Sequence, residues 1–282
     1  MRSNNPVFNR SPEFNGQRNA GAPYGGYQQP GMGYSDPSGW GVAQGGAPQQ
    51  APYKSSPMTI DSVVQKTAMS VGLTIVVALA TYIALPPVTE EPSALATAGA
   101  VAVVGSLVAF GLSMVNSFKR VISPALVLAF AAVQGVALGG FTMVFGAFAD
   151  GIIVPAIFGT FAAFAGTLAA YKVLNIQVGD KFRKFVVAAV FGMVGLSLIS
   201  FVLSLFGVQT GLFGMGGLGM LTAIAGLVLG VFMLILDFDF VEQGIRAGLD
   251  ERESWRAAFA MTVSLVWIYT NLLRLLAILN QD

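Results

Sequence analysis

The sequence predicts an all-α membrane protein of seven transmembrane helices behind a disordered N-terminal tail, and three observations carry that prediction. Hydrophobic residues make up 55% of the 282 and charged residues only 10%, where a soluble domain carries roughly 25% charged residues. The apolar residues gather into runs close to the roughly 20 that cross a hydrocarbon core of ~30 Å at ~1.5 Å per residue. The Lys and Arg residues between those runs fall in alternate loops only.

From Met1 to about Pro57 the chain is Gly, Pro, Gln, Asn, Ser and Tyr, as in "GAPYGGYQQPGMGYSDPSGWGVAQGGAPQQAP". Such a composition buries too little apolar surface to offset its ordering entropy, so residues 1–57 are expected to form a cytoplasmic tail, a solvated tether or a weak interaction segment. It holds no continuous apolar core of the signal-peptide kind, so the first helix is expected to act as an uncleaved anchor.

The membrane domain, residues 58–282, divides into runs from Ser62 to Leu85, Leu95 to Phe118, Pro124 to Phe148, Ile152 to Leu174, Phe185 to Phe206, Leu218 to Val241 and Ala257 to Leu279. Pro86 and Pro87 stop the first run, "NSFKRVISP" parts the second from the third, and "DGIIVP" parts the third from the fourth. The uncharged stretch from Phe185 to Leu236 is split at "GVQTGLFGMGGLG", whose glycines break helices. Two pairs of small residues four apart, Gly135 with Gly139 and Gly226 with Gly230, are expected to let helix backbones approach closely.

Lys and Arg near helix ends are retained on the cytoplasmic side. Lys54 and Lys66, Lys119 and Arg120, the group Lys172, Lys181, Arg183 and Lys184, and the group Arg246, Arg252 and Arg256 all fall on one side of a seven-crossing arrangement. The opposite loops carry Glu90, Glu91 and Asp150 and no Lys or Arg. The expectation is a multi-pass membrane protein, N-terminus cytoplasmic and C-terminus outside.

With neither Cys nor His, the chain has no disulfide, thiolate nucleophile, zinc cluster, haem-ligating imidazole or Ser-His relay. "QVGDKF" only partly matches the Gly-x-Gly-Asp pattern of intramembrane aspartyl proteases, and Asp180 lies in a basic loop. A retinal protein needs a Lys in its last helix, and the last lysine is Lys184. No enzyme activity and no cofactor are expected. With a formal charge of +1 and scattered basic residues, a nucleic-acid partner is not expected either.

Charge inside hydrocarbon costs about 2.5 to 3.5 kcal/mol on insertion scales, so the few polar groups in the apolar runs are the functional candidates. Helix six ends "FMLILDFDFVEQGIRAG", with Asp237, Asp239 and Glu242; helix seven carries Asn271 and Arg274; helix three carries Gln134. Asp237 and Asp239 stand about 200° apart on a helix, so they face different neighbours. One reading makes an acid there, with Asn271, a pH sensor or part of a site for a hard cation such as Ca²⁺. The other places both acids at the cytoplasmic end of helix six, solvated, with Arg246 or Arg256 as partners. Arg274 is expected either to snorkel to the outer surface or to form a buried ion pair.

The chain resembles the transmembrane Bax inhibitor motif family in its bacterial form. The resembling pieces are "MRSNNPVF", "MTIDSVVQKT", "SPALVLAFAAVQGVALG" in helix three, "LDFDFVEQGIRAG" ending helix six and "VWIYTNLLRLLAIL" in helix seven. The resemblance implies seven helices with the last surrounded by the other six, and a pH-dependent calcium leak gated by acids of helices six and seven. The helix-six acid matches Asp237, which Gly244 follows seven residues later, with Asp239 as the second choice. With the preceding aromatic matched to Tyr269, the helix-seven acid falls on Asn271, which does not titrate, and Gln134 stands where relatives often carry Glu. The implied partners are the lipid bilayer and calcium ions. The alternative is a non-conducting protein that modulates a membrane protease or a stress response through a membrane-protein partner.

Overall fold

The computed structural model describes residues 56–87 and 93–280. The expected tail up to residue 55, and Glu90 and Glu91, lie outside the described residues. Among the described residues the protein has seven α-helices, each long and apolar enough to cross a membrane. They are α1 Ile60–Ala84, α2 Ala94–Phe118, α3 Pro124–Gly146, α4 Ile153–Val173, α5 Asp180–Leu205, α6 Gly217–Arg246 and α7 Glu253–Leu279.

The ends follow local chemistry. Thr59 and Ser62 cap α1 reciprocally, each side chain accepting from the other's backbone N–H at 3.1 Å, which satisfies two donors that an opening helix leaves free. Pro124 opens α3, where its missing N–H costs nothing. Three helices outrun their expected bounds by four or five residues, α7 among them, since it begins at Glu253. α5 begins at Asp180, so the basic run 181–184 belongs to its first turns, and α6 continues through Glu242 to Arg246. Polar residues continue a helix once it leaves hydrocarbon, where an apolar-run criterion stops too soon. At ~1.5 Å per residue the 30 residues of α6 reach ~45 Å, longer than a ~30 Å core.

The last helix is the hub. α7 packs directly on α1, α3, α4 and α6, while α2 joins the bundle mainly along α3, and α5 along α6. The resemblance implied six neighbours for this helix; four of the six make its main contacts. Its buried side chains run from Ser254 to Ala277. Phe259 packs edge-on against Phe130 of α3, with ring centres 4.9 Å apart. Outward-facing Ile83, Phe158 and Phe191 are each at least 70% exposed in the isolated chain, as expected of surfaces whose solvent is lipid.

Both small-residue pairs sit at helix contacts. A Cβ on Gly135 would stand 2.7 Å from the carbonyl oxygen of Thr74, and one on Gly139 would stand 2.6 Å from that of Ala78, so α3 rides against the backbone of α1. Gly226 and Gly230 of α6 face the side chains of Asn271 and Ile268 of α7.

The basic loops meet on one face. Met58 N–H donates to the carbonyl of Leu249 and Glu251 N–H to that of Ser56, so the segment before α1 pairs with the α6–α7 loop. Lys66 bonds Glu251 at 2.8 Å, and Arg256 reaches the carbonyl of Arg120. Gly135→Ala should overpack the α1–α3 contact by about 1–3 kcal/mol and lower the thermal midpoint in detergent. Gly99→Ala, with nothing within 4 Å of the added carbon, should leave it unchanged or raise it by the helix preference of roughly 0.5–1 kcal/mol.

Candidate functional site

The two acids of α6 face opposite neighbours, as their spacing predicts. Asp237 is half-buried and turns to α7, where Ser264 Oγ donates to its Oδ2 at 2.6 Å. Asp239 turns to α5 and is 7% exposed. Its Oδ2 accepts from Arg183 at 2.8 Å and from Gln243, one turn along α6, at 2.7 Å. Asp237 thus faces the hub helix α7, while Asp239 faces α5, where Arg183, carried by the longer α5, lies over it.

Asp239 lines a polar recess of about 350 Å³ with Glu242, Tyr171, Gln177 and Arg246. Tyr171 of α4 donates to Glu242 Oε2 at 2.6 Å, and Arg246 pairs with Glu242 on the same helix. Three helices therefore meet around two acids, near the level where α6 leaves the hydrocarbon. The partners expected for a solvated pair are engaged elsewhere, since Arg246 holds Glu242 and Arg256 holds Glu253.

Asn271 is not part of this group. Its amide donates to the carbonyl of Trp267 at 2.8 Å, and its side chain packs over Gly226, whose carbonyl accepts from the Trp267 indole. Asn271 lies seven residues beyond Ser264, about 10 Å along the helix. A joint Asp–Asn site is therefore corrected: the pairing that forms across the two helices is Asp237 with Ser264. Gln134 lies half-buried on α3. Among the described residues no group of three or more acids converges as a metal site.

Arg274 follows neither expectation in full. It is 7% exposed and donates to Thr222 Oγ1 at 3.0 Å and to the carbonyl of Gly219 at 3.4 Å, with its guanidinium 5.2 Å from the centre of the Phe213 ring. It reaches the α6 end that borders the glycine-rich loop, as a snorkelling stem does, yet the head is covered by that loop and held by a carbonyl, a hydroxyl and an aromatic face.

Arg183, Ser264 and Tyr171 are the site residues the sequence did not single out. Arg183 registers there only as topology, and a lone Ser or Tyr in an apolar run carries no signal of its partner. The bond from Gln243 to Asp239 was open to a helical i, i+4 reading.

The whole chain, over residues 5–281, matches a family model described as Bax inhibitor 1 like. The chain belongs to the Bax inhibitor 1-like family. No curated protein matches it. In this family member the helix-six acids are distributed between α7 and α5, and the helix-seven position that the resemblance assigns to an acid is an amide packed on Gly226.

Breaking a buried ion pair costs about 3–5 kcal/mol, and half-exposed pairs cost less. The Arg183 side chain is 45% exposed, so Arg183→Ala should lower stability by about 1–2 kcal/mol. Adding Asp239→Asn should recover part of that loss, and the non-additivity of the cycle in thermal unfolding measures the pair directly.

Proposed function

We propose that this protein passes cations, Ca²⁺ foremost, down their gradient, and that protonation of Asp237 changes the population of the open state. The single observation that carries this reading is the recess where Asp239 bridges α6 to Arg183 of α5 while Asp237, half a turn away, holds α7 through Ser264. Acids at the mouth of a neutral bundle attract a hard cation, and oxygen ligands suit it. Protonating Asp237 changes its bond to Ser264, and with it the tie between α6 and the hub helix α7. Family membership supports the same reading.

Because Asn271 does not titrate and lies apart from both acids, the proton-sensing group in this reading is the single acid Asp237 rather than a pair shared between two helices. The membrane is read as a bacterial inner membrane with the basic face cytoplasmic, which puts the recess on the cytoplasmic side. Arg274, at the other end of α7, is then a positive charge at the outer end of the α6–α7 contact.

Calcium uptake into proteoliposomes, followed between about pH 5 and 8, the span that covers ordinary cellular titration, tests the reading. Asp237→Asn, a mimic of the protonated acid, should raise flux at neutral pH and flatten the pH profile. Asp239→Asn, which breaks the pair with Arg183, should change flux and leave a pH dependence in place. Wild-type flux and pH dependence retained in both variants would sink the proposal. Loss of the cellular role on deletion of residues 1–57, with both variants active in it, would favour the non-conducting alternative.

A further inference from the structure

A second cavity lies on the other side of α7 from the acids. It encloses about 280 Å³ between α1, α3, α4 and α7, and no charged residue lines it. This is nearly twice the ~150 Å³ of an engineered apolar cavity that stays dry and takes up benzene. Its floor is formed by buried Leu138, Leu265 and Tyr269. Its rim is formed by Ile75 and Leu79 of α1 and Ile157 and Phe161 of α4, each between 39% and 58% exposed, so the cavity opens sideways between these two helices.

Of the hydroxyls in its wall, all but that of Tyr82 are engaged within the protein. Thr74 donates to backbone carbonyls, as does Thr160. Thr262 bonds Ser70 and the carbonyl of Ala258, and Thr142 and Tyr269 share a bond at 3.0 Å. Water in such a cavity needs two to four polar partners, and an ion needs more. The wall offers the Tyr82 hydroxyl alone, at one end, which leaves an apolar occupant for the rest.

The shape says which one. From Val71 to Tyr82 the α1 wall runs about 16 Å along the helix, the depth of one leaflet of a ~30 Å core. The mouth faces hydrocarbon. Tyr82, two residues from the end of α1, marks the interfacial end, where tyrosines sit at headgroup level.

We propose that this cavity is a binding site for one acyl chain of a phospholipid from the leaflet opposite the basic loops, inserted sideways between α1 and α4 with its headgroup near Tyr82. A chain lodged there fills the gap between α1 and α4 and braces α7 through the floor residues Leu265 and Tyr269. The site is separate from the acids, and its test does not depend on conduction.

The full-length protein is reconstituted into vesicles containing a phospholipid with a photoactivatable diazirine in mid-chain, irradiated and mapped by mass spectrometry. Adducts on the floor residues Leu138 and Leu265, beside those on outward-facing Val76 and Ile83, are expected. Adducts confined to the outward-facing residues would overturn the proposal. Ile157→Trp, at the rim, should lower floor labelling about tenfold, equivalent to roughly 1.4 kcal/mol, and leave Val76 labelling unchanged. Undiminished floor labelling in that variant would refute entry between α1 and α4. Floor labelling by a diazirine fatty acid but not by the phospholipid would also refute the assigned occupant.

Discussion

Everything in this bundle depends on how the polar side chains of α7 are satisfied inside hydrocarbon. A free hydroxyl or carboxyl there has no water to turn to. Going along the helix, Ser254 bonds Ser62 of α1, Thr262 bonds Ser70 of α1, Ser264 bonds Asp237 of α6, and Tyr269 bonds Thr142 of α3. Each bond is modest, averaging about 0.6 kcal/mol in membrane-protein measurements. Their value is geometric: together they set the rotation of α7 and the height at which three other helices meet it.

Close approach makes those bonds possible. Short hydroxyl side chains cannot reach across a gap filled with Leu and Phe, so α3 and α6 present glycines where they meet α1 and α7. The helices outside this hydrogen-bonded group are held differently. α2 is fixed to α3 by small-residue packing, with Gly140 against the backbone of Ala98 and Ala102. α5 is fixed mainly to α6, through the Arg183 bridge at one end and the Phe182–Phe232 ring contact nearby.

The two sides of α7 consequently differ in chemistry. Toward α6 and α5 lie the acids, the arginine and the polar recess. Toward α1 and α4 lies an uncharged, mainly apolar cavity. The same helix thus divides a face suited to ions from a face suited to hydrocarbon. Its bonds to Asp237 through Ser264 and to Thr142 through Tyr269 couple its position to both.

Seven helices, their spans to within a few residues and a common face for the basic loops were all legible in the chain itself. These follow from one-dimensional quantities: the length of an apolar run against the thickness of a bilayer, and the position of each Lys or Arg between runs. The opposite facing of Asp237 and Asp239 was legible as well, since it needs only the turn angle of one helix. Which neighbour each acid meets was not. That Asp239 pairs with Arg183, 56 residues earlier, depends on α5 starting at Asp180 and standing beside α6. That Asn271 meets Gly226 rather than an acid depends on the vertical offset of α6 against α7, set by small-residue contacts and hydroxyl bonds along the whole interface. Sequence by itself determined the helices and the face each residue occupies, because those are properties of single segments. Only tertiary structure decided the pairings and the cavity, because those arise from the relative height and rotation of helices far apart in the chain.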